Sequence, residues 1–208
     1  MSKKSVKTMT SQRNSDAPTL ILASSSTYRR MLLERLGLSF GVVAPEIDET
    51  VRVGELPAVA SVRLAEAKAR AVAARHPDAL IIGCDQMAAC DGIAIGKPRD
   101  RDDALAQLKS MRGRTIFFHT ALALLNAGTG RCQTALVDVA STFRSFDDEQ
   151  LAAYIDRDQP YDCAGSVKCE SLGIALFTRI ASDDPTALIG LPLIRLTDML
   201  IAEGVRIL

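Results

Sequence analysis

Two β-rich runs, Thr115 to Leu125 and Cys132 to Phe143, are separated only by Asn126-Ala127-Gly128-Thr129-Gly130, so they read as the arms of one long antiparallel hairpin. Upstream of it, short apolar strands alternate with helical patterns. Thr19 to Ser24 reads as a buried strand, Tyr28 to Gly37 as a helix with Met31, Leu32 and Leu36 inward, and Phe40 to Ala44 as a strand. The acidic, turn-rich Pro45 to Pro57 reads as a loop. Val59 to Arg75 is a helix whose Val59, Val62, Ala67 and Ala71 predict the core stripe and leave Arg63 and Lys68 off it. Leu80-Ile81-Ile82-Gly83 is a strand that delivers Asp85 and Gln86 at its end, and Asp91-Gly92 turns it into Ile93 to Ile95. Asp100 to Met111 and Asp147 to Arg157 are helical, Ile174 to Ile180 is a strand, and Leu193 to Glu203 is a closing helix. Parallel β-α units joined to antiparallel hairpins predict an α/β fold: a mixed central β-sheet with flanking helices, in two lobes around a cleft.

The charge balance narrows the ligand. With 25 basic and 25 acidic side chains there is no overall positive field to recommend nucleic acid, and no apolar stretch is long enough to span a membrane. A small-molecule ligand is expected. The five cysteines form neither a CxxC pair nor a disulfide framework, which reads as reduced thiols in a cytoplasmic protein. Only two histidines are present, so any metal site is expected to use hard carboxylate ligands and to take Mg2+ or Mn2+. Met1 to Ala17, rich in Ser, Thr and Lys, is expected to be a disordered extension, with residues 18–208 forming one domain.

Chemistry enters where the first strand meets the first helix. Leu20-Ile21-Leu22-Ala23 empties into Ser24-Ser25-Ser26-Thr27-Tyr28-Arg29-Arg30, which offers free helix N–H groups, hydroxyl donors and guanidinium forks, the parts of a phosphate cradle. The alternative is a serine-capped helix with solvated arginines. No GxxxxGK[ST], GxGxxG or GxSxG motif is present, so phosphate would have to be handled by scattered cations and carboxylates. Glu49, Lys68, Asp85 and Lys97 occupy positions where a core-building sequence does not need them. Hydrolysis of a triphosphate requires neutralised oxygens, a carboxylate-held metal and a base to align water, and Asp85 is the expected base with Glu49 its partner on metal. A turn role for Asp85 and solvation of Lys68 stand against that reading.

Together Leu22-Ala23-Ser24-Ser25-Ser26 with Arg29-Arg30, Pro45-Glu46-Ile47-Asp48-Glu49-Thr50, Arg63-Leu64-Ala65 with Lys68-Ala69, Gly83-Cys84-Asp85-Gln86 and Gly96-Lys97-Pro98 resemble the Maf family of nucleoside triphosphate pyrophosphatases, from about Thr19 to Glu203. The resemblance implies a Maf/ITPase-like fold and cleavage between the α and β phosphates with a divalent cation. Ser24, Ser26, Arg29, Lys68 and Lys97 would bind phosphate, Glu49 and Asp85 would position metal and water, and a homodimer is implied. Tyr28, Gln86 and Glu170 favour the branch that acts on 7-methyl-GTP over that acting on dTTP and UTP. Tyr28 stands where some members of that branch carry tryptophan. Cys163-Ala164-Gly165-Ser166-Val167-Lys168-Cys169-Glu170 resembles a stretch typical of the branch. An aromatic face and a carboxylate suit a cationic, donor-rich base. Packing of Tyr28 on the core, and pairing of Glu170 with Lys168, are the structural alternatives, and Ser166 and Lys168 are open to either role. Rival functions are the same chemistry on dTTP, UTP or another modified nucleotide, a nucleotide-binding regulator of cell division, and a thiol sensor built on Cys84 and Cys90.

Overall fold

The computed structural model describes residues 19–208, so the expected disorder of Met1 to Ala17 lies outside the described residues. Seven strands and five α-helices follow in the order β1 (Leu20–Ala23), α1 (Thr27–Glu34), β2 (Phe40–Val43), α2 (Pro57–Ala73), β3 (Leu80–Cys90), β4 (Ile93–Ile95), α3 (Arg101–Met111), β5 (Thr115–Asn126), β6 (Cys132–Phe143), α4 (Asp148–Asp158), β7 (Phe177–Ala181) and α5 (Leu193–Ala202). They build one mixed sheet of order β2-β1-β3-β5-β6-β7, with β4 paired to the far end of β3. The expected hairpin is β5 and β6, in register from Thr115 opposite Thr142 to Leu125 opposite Cys132.

Alternation along β3 sorts the core by face. Leu80, Ile82 and Cys84 pack with α1 and α5, and farther along the same face Ala88 and Cys90 pack with α3 and α4. Ile81 and Gly83 look the other way, onto α2. A Cβ at Gly83 would fall inside van der Waals contact of Ala65 O and 2.9 Å from Ala69 N, so helix and strand approach as closely as backbones allow.

That approach corrects the expected stripe of α2. The buried positions are Pro57, Ala60, Ser61, Leu64, Ala65, Lys68, Ala69 and Val72, while Val59 is 56% exposed and Val62, Ala67 and Ala71 sit at the margin. The small Ala65 and Ala69 face Gly83 because nothing larger fits there, while Leu64 and Val72 are buried elsewhere along the helix and Val59 turns outward. Lys68 is therefore inside. In α1, Met31 is 62% exposed and Leu33 takes the inward position beside Leu32. Ile174 lies in a short 3-10 segment, and strand β7 begins at Phe177.

One gap in the sheet positions the site. β1 accompanies β3 only as far as Ala23 opposite Gly83, and β4 begins only at Ile95 opposite Ala88. Between them Cys84, Asp85, Gln86 and Met87 present an edge with no strand partner among the described residues, just beyond the carboxyl end of β1 where open α/β sheets place ligands. Asp85 and Gln86 are thus mid-strand, contrary to the expectation of a strand end, and strand pairing with Ala121 and Thr120 on the other edge holds them rigidly.

Candidate active site

A cavity of about 750 Å³ opens over this gap. Its lining contains Ser24, Ser26, Tyr28, Arg29, Glu49, Lys68, Asp85, Gln86, Lys97 and Glu170, while Ser166, Lys168, Cys84 and Cys90 lie outside it. The end of β1, the start of α1, α2 and the open edge of β3 meet there by topology, and the loops carrying Glu49, Lys97 and Glu170 close around them.

The acidic side is organised by Lys68. Its Nζ donates to Asp85 Oδ1 at 2.6 Å and lies 3.1 Å from Glu49 Oε2. Asp85 and Lys68 are both nearly sealed from water, whereas the Glu49 side chain is 57% exposed. Burial pushes the Asp85 carboxyl above the ordinary range and Glu49 adds to the rise, while Lys68 and Arg29 oppose it. Asp85 Oδ2 has no protein hydrogen-bond donor among the described residues. Glu49 rides on the loop between β2 and α2, and Arg63 fixes that loop: its Nε and Nη2 donate to the two Glu55 oxygens at 2.6 Å each, and Nη2 also reaches Thr50 O. This fork draws Glu55 down from 4.5 to about 2. The sequence reading gave neither Arg63 nor Glu55 a role, although Arg63 stands on the same helix as Lys68.

The basic side begins at the cap of α1. Ser26 Oγ accepts from Arg29 N, and Ser24 Oγ accepts from Ser26 N, so both hydroxyl oxygens shape the loop while their O–H groups stay available as donors. Arg29 donates Nε to Gly190 O at 3.0 Å and, among the described residues, makes no ion pair. Lys97 is exposed and likewise has no ion-pair partner among the described residues. An anion is the partner such a pair of cations lacks.

A third region surrounds Tyr28. The ring is half-buried, and burial followed by the neighbouring Cys163 and Asp162 raises its phenol, with Glu170 contributing in the same sense. Glu170 is not paired with Lys168: Lys168 Nζ donates to Asp158 O and Gln159 O and lies 3.3 Å from Asp162, a staple of its own loop. Ser166 is also structural, buried with φ +56° and donating to Gln107 Oε1. Gln86 donates Nε2 to Thr120 Oγ1, Ala187 O and Leu188 O, a segment the sequence reading left without a role.

The thiol-sensor reading loses its basis. Cys84 is fully buried, donates to Gly190 O, and burial pushes its thiol up, away from the reactive thiolate. His119, paired with Asp138 and stacked on Phe117, is held on the hairpin and is absent from the cavity lining.

A divalent cation can be tested against these residues. Glu49 and Asp85 each give one oxygen to the same ammonium, which keeps the two carboxylates close together with an oxygen of each left over, and Mg2+ commonly takes one or two protein carboxylates with the rest of its shell from water and phosphate. The donor set fits. No cluster of three or more His, Cys, Asp or Glu is found among the described residues, which leaves the remaining positions to substrate and solvent.

Comparison with known proteins follows the same lines. A family model described as "Maf-like protein" matches residues 19–203. A protein from Methylobacillus flagellatus named 7-methyl-GTP pyrophosphatase is 53% identical over 191 residues, covering 92% of this chain and all of that one. Proteins of the same name from Thiobacillus denitrificans and Ralstonia nicotianae are 54% and 58% identical, covering 92% and 88% of this chain and 96% and 94% of theirs.

Proposed function

Given that this chain belongs to the Maf family, we propose that it is a nucleoside triphosphate pyrophosphatase that hydrolyses 7-methyl-GTP to 7-methyl-GMP and pyrophosphate. The observation that carries the reading is the Lys68 bridge. One buried ammonium gathers Asp85 and Glu49 at the wall of a cavity that also holds Arg29 and Lys97, cations with no ion-pair partner among the described residues. Acids and cations so arranged serve water activation and phosphate binding at once.

In this reading the triphosphate lies along Arg29, Lys97 and the donors of Ser24 and Ser26, which neutralise oxygen charge and hold the α–β anhydride in place. Asp85 Oδ2 takes a proton from the attacking water as its oxygen bonds to phosphorus; the α–β bridge breaks and pyrophosphate leaves. A carboxyl raised by burial is the better base at neutral pH, and Lys68 keeps its other oxygen oriented. Glu49 and Asp85 would hold Mg2+ or Mn2+, which supplies charge neutralisation at the phosphates. Tyr28 stacks on the cationic methylated purine, Glu170 accepts from N1–H and the 2-amino group, and Gln86 completes the edge.

Removal of a modified nucleotide from the cytoplasmic pool is the corresponding role, in keeping with five free cysteines. No helix among the described residues is long and apolar enough to cross a membrane. The test is pyrophosphate release from a panel of triphosphates with Mg2+ or Mn2+, and with excess chelator. The expected result is fastest release from 7-methyl-GTP, lost with chelator; turnover fastest on dTTP or UTP overturns the substrate, and none on any triphosphate overturns the enzyme.

A further inference from the structure

The wall of the cleft opposite in sequence to the reacting residues is a segment, 182–192, that joins β7 to α5 and is held together by one buried carboxylate. Asp184 is 2% exposed. Its Oδ1 accepts from Thr186 N at 3.0 Å and Thr186 Oγ1 at 2.7 Å, and its Oδ2 accepts from Ile194 N at 2.7 Å and Arg195 N at 3.4 Å. The N-cap of α5 is Pro192, which has no side-chain acceptor to give, so Asp184 caps that helix from across the loop. Thr186 extends the network, with its hydroxyl accepting from Leu193 N and lying 2.8 Å from Leu191 O.

What this network holds still is a row of carbonyls. Gly190 O accepts from Arg29 Nε and from Cys84 Sγ, both at 3.0 Å. Ala187 O and Leu188 O accept from Gln86 Nε2 at 3.0 and 3.1 Å. Both consequences reach the cleft. With Nε committed, the Arg29 guanidinium presents its two Nη groups as a fork for phosphate oxygens. With its amide protons spent on Thr120, Ala187 and Leu188, Gln86 presents only Oε1, an acceptor. An acceptor matches the second 2-amino N–H of guanine, which Glu170 leaves free, and finds no donor at that position of adenine.

We propose that Asp184 is a positioning residue for the hydrolysis proposed above, a reading on which this inference rests: through the 186–191 carbonyls it sets the Arg29 fork toward phosphate and turns Gln86 to read a donor-bearing purine edge. It touches neither substrate nor reacting atoms. The phosphate grip and the base reader therefore share one support, and disturbing that support loosens both together.

The experiment measures steady-state pyrophosphate release by wild type, Asp184→Ala and Thr186→Val, together with melting temperature. Thr186→Val keeps the fold if Asp184→Ala does not. Glu203→Gln serves as a destabilised control, because Glu203 ties Asn126 and Gln133 at the far end of the hairpin. The readouts are KM and the ratio of kcat/KM for 7-methyl-GTP over ATP, neither of which depends on the fraction of molecules folded. In the two loop variants KM is expected to rise about tenfold and the ratio to fall about tenfold, as for loss of an oriented charged hydrogen bond. In Glu203→Gln only the melting temperature should move. If both loop variants match that control, with KM and ratio within twofold of wild type, Asp184 is a stability residue and the inference is overturned. If wild type itself releases no pyrophosphate, the function falls and the inference with it.

Discussion

Lys68 Nζ lies 2.6 Å from Asp85 Oδ1, and the two side chains are only 6% and 8% exposed. A buried pair of this kind is costly to break from one side and cheap to remove whole, since a lone buried charge keeps its desolvation penalty. Lys68→Met is therefore expected to lower stability by about 3 kcal/mol, with Asp85→Asn costing less because the ammonium it leaves behind keeps Glu49 at 3.1 Å as a partner. The double variant should recover most of the loss in a urea titration. None of the three should turn over substrate, because each lacks the base or the group that orients it. Full activity in Asp85→Asn removes that residue as the base.

The Arg63 fork on Glu55 links acid stability to the loop that carries Glu49. Glu55 titrates at about 2 in the folded protein against 4.5 without the fork, so its contribution is complete above 4.5 and disappears as pH falls toward 2. The melting temperature of wild type should exceed that of Glu55→Gln near neutrality, and the difference should shrink through that window. A constant difference from pH 6 to pH 2 argues that the carboxylate charge is not what holds the loop. At neutral pH Glu55→Gln should also raise the metal concentration needed for half-maximal rate, as Glu49 loses its support.

Base choice rests on a separate set of side chains. Glu170→Ala removes an exposed carboxylate with no ion-pair partner among the described residues, so its cost to stability should be within about 0.5 kcal/mol. Its expected effect is on selectivity, a fall of about tenfold or more in preference for 7-methyl-GTP over dTTP and UTP. Tyr28→Trp enlarges the aromatic face and should lower KM for the cationic base more than for GTP. An unchanged substrate ratio in Glu170→Ala takes that carboxylate out of the base pocket.

How much of this could be read from the sequence depends on the range of the force involved. The β5–β6 hairpin and the capped helices were legible almost to the residue because turn chemistry and capping are local. So were the separate motifs that line the cleft. What was not legible is the open edge of β3, which exists only because β1 ends before β4 begins. The inward face of α2 differs for a related reason: periodicity points to Val59, Val62, Ala67 and Ala71, but the close contact at Gly83 turns Ala65 and Ala69 inward, with Leu64, Lys68 and Val72 buried on the same helix. Asp184 leaves little pattern, because three of its four donors are backbone N–H groups that any sequence supplies and the fourth is the Thr186 hydroxyl.

That close contact yields a prediction that joins fold to site. Gly83 needs no unusual φ, so the obstacle to a side chain there is purely the backbone of Ala65 and Ala69, which cannot rotate away as a side chain would. Gly83→Ala is expected to push α2 off the sheet and to destabilise by about 3 kcal/mol, the upper part of the range for overpacking. Because α2 carries Lys68, the same displacement lengthens its bridge to Asp85. The variant should therefore lose kcat beyond what its melting temperature explains, and a second change that makes room on the helix cannot restore it, since the clash is with main chain. Gly83→Ala with wild-type stability and rate would mean that helix and strand stand farther apart than described.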